Sequence, residues 1–297
     1  MAKILITGVS GMLGSNLAYA YRDHCQIIGV YLNNKVEMKN IQAIELNLLD
    51  SFKLNEIVKK FNPDAIIHCA ALVNVDKCEE DKDAAYELNV RATRNVAQSL
   101  SRNKTKLVYI STDAVYNGVK GHFQEGEEDP VNHYGRTKLL GEREALQHDN
   151  ALVLRTNIFG LNVRNKLSFG EWILDSLMKG NNINGFTDAI FSTIYTFCLS
   201  NILEKCLKLD LRGIYNVGSS DCLSKYDFML KVAQKFNLDQ GLIGTSQVNK
   251  AGLTAKRGAN LCLNMAKIEN ALGQTMPAME DSINAFHRDC QNNIFDK

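Results

Sequence analysis

Short apolar runs alternate with amphipathic segments along the first 155 residues of the chain. The apolar runs predict strands that are covered on both faces, and they lie at residues 3–7, 26–31, 43–47, 64–68, 106–110 and 151–155. The segments between them have helical spacing of apolar side chains, at 15–21, 51–61, 82–100 and 134–147. This alternation predicts an α/β fold with a doubly wound parallel sheet, whose ligands bind at the carboxyl ends of the strands.

A glycine-rich turn follows the first predicted strand. Gly8, Gly11 and Gly14 have the spacing GxxGxxG and lead directly into the first predicted helix. Strand, glycine turn and helix are the context in which a dinucleotide pyrophosphate binds to a helix N-terminus. The alternative is a plain strand-turn-helix without a ligand. We therefore expect the dinucleotide site at residues 8–14.

A second motif lies about twenty residues after Ser111-Thr112-Asp113. Tyr134 and Lys138 are four residues apart, so they share one face of the predicted helix. An ammonium beside a phenol favours the phenolate and is expected to bring the pKa of Tyr134 toward neutrality. Such a tyrosine exchanges a proton with an alcohol or ketone oxygen. The alternative is an ordinary tyrosine and lysine that face solvent.

The pattern is less regular after residue 155. Residues 159–190 are rich in Asn and Gly, while 199–208, 224–236 and 279–289 predict helices and 213–217 predicts one more strand. We therefore expect a dinucleotide-binding Rossmann domain at residues 1–157, completed by about residues 190–218. A smaller mixed lobe, at 158–189 and 219–297, is expected to bind the substrate.

Composition narrows the classes of function. The 297 residues are 45% hydrophobic and carry a net charge of +1, which gives no case for binding nucleic acid or an anionic membrane. No apolar run is long enough to span a bilayer, and because the first predicted strand begins at residue 3 we expect no signal peptide. The eight scattered cysteines include no CxxC, so we interpret them as reduced thiols of a cytoplasmic protein, not as a disulfide framework or a zinc site.

Motifs along most of the chain carry a resemblance to a known family. They are residues 7–14, 68–71 with 75–77, 89–93, 111–116, 134–142, 154–156 and 213–217. In this order they resemble the extended short-chain dehydrogenases/reductases, and within them the dTDP-4-dehydrorhamnose reductase branch. The resemblance implies a Rossmann-type sheet with a substrate lobe, as the hydrophobic pattern also predicts.

The resemblance also implies roles for individual residues. Tyr134 would be the general acid, Lys138 would lower its pKa and hold the nicotinamide ribose, and Thr112 would hydrogen-bond the reacting oxygen. Asn89 matches an asparagine that supports the active-site lysine, although a packing role is the alternative. The expected cofactor-binding residues are Gly8, Ser10, Gly11, Met12, Leu13, Gly14, Tyr31, Asn47, Leu48, Ala70, Ala71, Tyr134 and Lys138. The expected substrate-binding residues are Thr112, Asp113, Asn157 and Arg257, and no residue is assigned to a metal.

The chain also departs from the family pattern. Ala114 and Ile158 stand where the rhamnose reductases have aromatic residues on the sugar side, which puts 4-keto-rhamnose itself in doubt. No acid follows the second strand to bind a ribose 2′-hydroxyl, and Lys35 lies nearby. These residues favour NADP(H) over NAD(H), with a solvated Lys35 as the alternative. Some family members respond to Mg²⁺, so we keep Mg²⁺ as an additional cofactor.

The expected function is NAD(P)H-dependent reduction of a nucleotide-linked 4-keto-6-deoxy sugar, for surface polysaccharide or O-antigen sugars, by a cytoplasmic homodimer. An epimerase of the same superfamily is one alternative. A 4,6-dehydratase would carry a Glu where this chain has Ala114. A regulatory subunit that binds NADP without catalysis is the alternative from another class, and its expected signature is an impaired Tyr, Lys or Ser/Thr.

Overall fold

Helices and strands follow one another throughout the computed structural model, which describes residues 1–100, 104–164, 166–250 and 252–295. The strands are β1 Ala2–Thr7, β2 Cys25–Tyr31, β3 Ile41–Glu45, β4 Ala65–His68, β5 Lys106–Thr112, β6 Ala151–Thr156, β7 Ile158–Phe159, β8 Ile183–Phe186, β9 Ile190–Phe191, β10 Ile194–Tyr195, β11 Gly213–Val217, β12 Leu223–Ser224, β13 Ile243–Ser246 and β14 Asn260–Leu261. The helices are α1 Met12–Tyr21, α2 Ser51–Phe61, α3 Val75–Glu80, α4 Lys82–Tyr86, α5 Ala92–Ser99, α6 His133–Ala145, α7 Phe169–Met178, α8 Thr196–Lys208, α9 Lys225–Lys235, α10 Ala266–Leu272 and α11 Met279–Gln291. In these ranges no helix has the length and apolar character needed to cross a membrane.

The central sheet has seven parallel strands in the order β11-β6-β5-β4-β1-β2-β3. The chain builds outward from β1 to β3, returns to β4 on the other side of β1, and then builds outward again. The connections of β1 and β4 therefore leave the sheet in opposite directions, and a crevice opens at their carboxyl ends. The prediction of a doubly wound parallel sheet is confirmed.

Alternating side chains of the sheet pack into two apolar layers. Ile4 and Ile6 belong to the layer on one face of the sheet, and Leu5 belongs to the layer on the other. Every residue of β5 and β6 is buried. Burial on both faces explains why these strands have continuous apolar runs instead of alternating patterns.

The predicted helix at 82–100 is interrupted. The chain forms α4, then a π-helical turn at Glu87–Arg91, and then α5. A π-turn holds one residue more than an α-turn, so it changes the direction of the following side chains, and such turns are frequent at functional sites. By contrast, α2 matches its predicted bounds, because Asp50 caps its first turn and Asn62 ends it in a left-handed conformation.

The second lobe surrounds its own apolar core, formed by residues of α7, α9, α11 and the short strands. The predicted helices near 199–208, 224–236 and 279–289 are confirmed as α8, α9 and α11, and the predicted strand 213–217 joins the sheet as β11. Several strands here have only two residues, which is too short for a recognisable alternation of apolar and polar positions. The proposed domain bounds stay a prediction.

The interpretation of all eight cysteines as reduced thiols is wrong for two of them. Cys222 and Cys262 form a disulfide, although they are 40 residues apart in sequence. Cys222 precedes β12 and Cys262 follows β14, and both strands pair with β9, so their Cα atoms lie 5.8 Å apart. Neighbours across a sheet cannot be inferred from spacing along the chain. The free cysteines include Cys25, Cys69, Cys78, Cys198 and Cys206.

Candidate active site

A cavity of about 700 Å³ lies at the carboxyl ends of β1, β4 and β5. All of the predicted cofactor-binding, catalytic and substrate-binding residues line it: Gly8, Ser10, Gly11, Met12, Leu13, Gly14, Tyr31, Asn47, Leu48, Ala70, Ala71, Thr112, Asp113, Tyr134, Lys138, Asn157 and Arg257. The fold thus brings together residues from 8 to 257. Their individual roles stay predictions.

The glycine turn has the geometry of an anion site. Gly8 has φ +68°, and a Cβ there would lie 2.8 Å from the backbone of Ala70. A Cβ at Gly14 would collide with the carbonyl group of Gly8. Helix α1 starts after Gly11, and no side chain caps it. Its first N–H groups are therefore available to a phosphate, as the sequence predicts.

The far end of the cavity is lined by the loop after β2 and by the residues after β3. Leu32, Asn33 and Asn34 lie here beside Asn47, and none of these residues is acidic. Lys35 pairs with Glu37 at 2.7 Å, and both side chains are exposed. Lys35 is thus a solvated surface charge in this structure, the alternative that the sequence left open.

Thr112 and Tyr134 meet at the carboxyl end of β5. Tyr134 lies in the first turn of α6, where Asn132 caps the helix by accepting a hydrogen bond from the Gly135 N–H at 2.8 Å. The hydroxyl of Thr112 faces the Tyr134 hydroxyl and lowers its pKa. One turn further, the Nζ of Lys138 donates to the carbonyl of Ile110 at 2.7 Å.

The expectation that the pKa of Tyr134 is brought toward neutrality is wrong for this structure. Burial is the largest cause and raises the pKa of Tyr134 above its usual value of 10.0, and Asp113 raises it further. Burial also lowers the pKa of Lys138 to about 7, so the lysine carries only part of its positive charge at neutral pH. Tyr134 therefore holds its proton, which is the form that donates to a carbonyl oxygen.

Asn89 lies in the π-turn and connects two segments around the cavity. Its side chain accepts from the Leu72 N–H at 2.8 Å and donates to the Leu72 carbonyl at 3.1 Å. The same amide donates to the hydroxyl of Thr137 at 3.0 Å. Asn89 thus fixes the loop after β4 against α6. Its partner Thr137 precedes Lys138, the lysine that Asn89 supports according to the family resemblance.

Asp113 is buried at the entrance to the second lobe. It accepts from the Asn157 amide at 2.8 Å and from the Thr112 hydroxyl at 3.1 Å. Burial raises the pKa of Asp113 to about 6, although both hydrogen bonds and Lys225 oppose this shift. The contact joins two of the predicted substrate-binding residues.

Lys225 is a cavity residue that the sequence reasoning missed. It is the first residue of α9 and lies 5.7 Å from the Phe169 ring and 5.9 Å from the Phe186 ring. Burial lowers its pKa, whereas the nearby Asp113 opposes that shift. Arg164 also lines the cavity and was missed. In the sequence, the only feature that pointed to Lys225 and Arg164 was their positive charge within the predicted substrate lobe. Lysines and arginines on the protein surface have the same charge, so this feature does not identify a cavity residue.

Arg257 reaches the same cavity from the segment before β14. It donates to Asp76 at 2.8 Å, and the other oxygen of Asp76 accepts from the Ala255 N–H at 2.9 Å. The Lys256 carbonyl accepts from the Asn132 amide at 2.8 Å. Asp76 and Asn132 thus hold this segment against α3 and α6.

A buried ionic network supports the strands behind the cavity. The side chain of Arg155 is 1% exposed and binds Glu142 through two nitrogens, at 2.6 and 3.0 Å. It also pairs with Glu128 and donates to the Tyr116 hydroxyl at 2.9 Å. Ser111 donates to Glu142 at 2.5 Å, next to Thr112 in β5. The network therefore fixes the end of the strand that presents Thr112.

The chain is similar to known proteins along almost its whole length. The profile of the family described as "RmlD substrate binding domain" matches residues 2–292. A dTDP-4-dehydrorhamnose reductase of Aggregatibacter actinomycetemcomitans is 30% identical, over 92% of this chain and 94% of that protein. The methionine adenosyltransferase 2 subunit beta of Danio rerio is 28% identical, over 97% of this chain and 92% of that protein.

The fold has a solved counterpart of nearly the same extent. The structure of a dTDP-4-dehydrorhamnose reductase from Bacillus anthracis in complex with NADP superposes with a TM-score of 0.84. It is 26% identical and covers 97% of this chain and 100% of its own. The two chains thus share their fold along almost the whole length.

Proposed function

Because the chain belongs to the RmlD substrate binding domain family, we propose that it is an NAD(P)H-dependent reductase of a nucleotide-linked 4-keto-6-deoxy sugar. The observation that carries the proposal is the convergence of Thr112, Tyr134 and Lys138 beside a glycine turn suited to a pyrophosphate. The family resemblance implies that this reaction belongs to a pathway that makes sugars for surface polysaccharide or O-antigen.

The residues present fit a dinucleotide. The backbone of Ala70 leaves no room for a Cβ at Gly8, so the glycine turn stays narrow. The uncapped start of α1 offers its N–H groups to the phosphates. A bound nicotinamide cofactor supplies the hydride. Tyr134 gives its phenolic proton to the oxygen that becomes the alcohol, and Thr112 hydrogen-bonds the same oxygen. Lys138, one helical turn away, stabilises the phenolate left on Tyr134.

We propose NADP(H) as the preferred cofactor. Among the described residues that line the far end of the cavity, none is acidic. An acidic residue there would bind a ribose 2′-hydroxyl and repel a 2′-phosphate. The related enzyme from Bacillus anthracis was solved with NADP. Lys35 does not contribute to this argument, because it is paired with Glu37. Mg²⁺ and a homodimer stay proposals from the family resemblance.

The charge of the cavity suits two anionic ligands. Its described lining contains four basic residues, Lys138, Arg164, Lys225 and Arg257, and one acidic residue, Asp113. A nicotinamide dinucleotide and a nucleoside diphosphate sugar each bring a diphosphate. Arg257 is already paired with Asp76, so Lys225 is the cation that we assign to the diphosphate of the sugar nucleotide.

A regulatory subunit is the second candidate, and the similarity to methionine adenosyltransferase 2 subunit beta favours it. A regulatory subunit is expected to have lost one or more of the catalytic residues. This chain retains Thr112, Tyr134 and Lys138. An epimerase retains the same tyrosine and lysine. Turnover of reduced cofactor separates the reductase from both alternatives.

We expect the purified protein to oxidise NADPH, and NADH more slowly, only when a keto-sugar nucleotide is added. The measurement follows the absorbance of the reduced nicotinamide with dTDP-4-keto-6-deoxy sugars made in situ, beside GDP- and UDP-linked analogues. Tight binding of NADPH without turnover of any of these substrates would contradict the reductase. Product stereochemistry follows from NMR of the alcohol.

Lys225→Met is expected to raise KM for the sugar nucleotide by roughly 10- to 100-fold, the value of one hydrogen bond to a charged group. The kcat and the KM for NADPH should change little, because the role proposed for Lys225 is to bind the diphosphate of the sugar nucleotide. Lys235→Met, at the exposed end of the same helix, is the matched control. Equal KM values for the two variants would remove Lys225 from substrate binding.

A further inference from the structure

Three metal-ligand side chains meet outside the cavity. His122, Cys222 and Cys262 place their ligand atoms within 4.8 Å of one another. The Cys262 sulfur lies 3.5 Å from Nδ1 and 3.7 Å from Nε2 of His122. The three residues come from the loop before Phe123, the residue before β12 and the residue after β14. Nothing in the proposed reductase chemistry uses this cluster.

We propose that His122, Cys222 and Cys262 form a binding site for one Zn²⁺ ion when the Cys222–Cys262 bond is reduced. Two thiolates and an imidazole are a ligand set that Zn²⁺ binds readily. A purely structural disulfide needs no imidazole beside its sulfurs. Three protein ligands leave the fourth tetrahedral position to a water molecule.

Formation of the site requires two balanced steps. A dithiol or phosphine reductant supplies two electrons and is oxidised, the S–S bond breaks, and two protons complete the Cys222 and Cys262 thiols. Zn²⁺ then displaces both thiol protons to bind the thiolates. Because other cysteines of this chain, such as Cys69 and Cys78, are free thiols, conditions that keep those thiols reduced also supply the reductant.

Access to the cluster is open on one side. His122 is exposed, Cys222 is half-buried, and Cys262 is buried. The imidazole can therefore turn about its own side-chain bonds to direct one nitrogen at the ion. The thiols have less freedom, because Cys262 is held by its N–H to the Asn260 side chain at 3.2 Å and by its carbonyl to the Phe123 N–H at 3.0 Å.

The site would connect segments that also form the cavity. Lys225 follows β12 directly, and Leu261 ends β14, and both line the cavity. Between them lies β9, whose Phe191 lines it as well. An ion bound by Cys222 and Cys262 would therefore hold the two outer strands of this small sheet together in place of the disulfide.

The test uses the full-length protein, reduced with a phosphine that is removed before titration. We expect one Zn²⁺ per chain in competition with a chromophoric chelator, and Co²⁺ should give thiolate-to-metal charge-transfer absorption. Cys222→Ser and Cys262→Ser should abolish that absorption. His122→Ala should weaken binding by at least about tenfold, since the loss of even an outer partner of a metal ligand costs that much. Circular dichroism verifies that each variant is folded.

Cys290→Ser is the matched control, because Cys290 is a half-buried cysteine in α11 and is not part of the cluster. It should bind Zn²⁺ like the wild type. Reduced wild-type protein that binds no stoichiometric Zn²⁺ would overturn the proposal and leave the pair as a disulfide only. Binding that persists in Cys222→Ser and Cys262→Ser would overturn it as well. Neither result depends on turnover, so the outcome is separate from that of the proposed reductase.

Discussion

A Tyr134→Phe variant should lose about two to four powers of ten in kcat, the usual contribution of a general acid. The substitution removes only the hydroxyl that faces Thr112, and the ring keeps its place in α6. Binding of NADPH, measured by quenching of its fluorescence, should stay nearly unchanged. Rates follow from NADPH oxidation with the sugar nucleotide that the wild type reduces.

Tyr19→Phe is the control for that variant. Tyr19 lies in α1 and packs against Phe197 and Arg22, and it is not among the residues that line the cavity. It should retain wild-type kcat. Turnover by Tyr134→Phe at the rate of Tyr19→Phe would remove Tyr134 from the mechanism.

Arg155→Met should lower the free energy of unfolding by about 3–5 kcal/mol, the cost of removing one partner of a buried ion pair. Methionine fills much of the same volume but leaves Glu142, 1% exposed, without its counterion. Urea denaturation with an unchanged m-value measures the loss. Since typical domains have 5–15 kcal/mol of stability, we expect a much smaller folded fraction at physiological temperature.

Arg212→Met is the comparison, because Arg212 forms an exposed pair with Asp210 at 2.7 Å. An exposed pair contributes about 0–1 kcal/mol. Adding Glu142→Gln to Arg155→Met should recover part of the lost stability, because the second change removes the unpaired charge. A loss in Arg155→Met no larger than in Arg212→Met would contradict a stabilising role for this network.

The sheet could be predicted from the sequence because its strands are covered on both faces. Residues 107–110 and 151–154 are all apolar, and these continuous runs predict β5 and β6 without knowledge of their neighbours. The π-turn at Glu87–Arg91 could not be predicted, since one additional residue in a helix leaves no clear mark in its apolar spacing. The two-residue strands of the second lobe depend on contacts between distant segments.

For the candidate site, the residues near the glycine turn and along β5 and α6 could be identified because each belongs to a local motif. The cavity also contains Lys225, whose position depends on β12 pairing with β9 and on the start of α9. The pKa of Tyr134 shows a further limit. Spacing alone predicts a neighbouring ammonium, but the direction of the shift depends on burial, which only the folded chain determines.

The edge position of β11 has a consequence for synthesis of the protein on the ribosome. β11 pairs with β6 along residues 213–217, so a nascent chain that ends before this segment exposes the backbone hydrogen-bonding groups of β6. The Tyr116 hydroxyl would also lack its acceptor, the Asn216 side chain at 2.8 Å. Such an open edge is a template for aggregation. The sheet of the first 156 residues is therefore completed only after a later part of the chain has been synthesised.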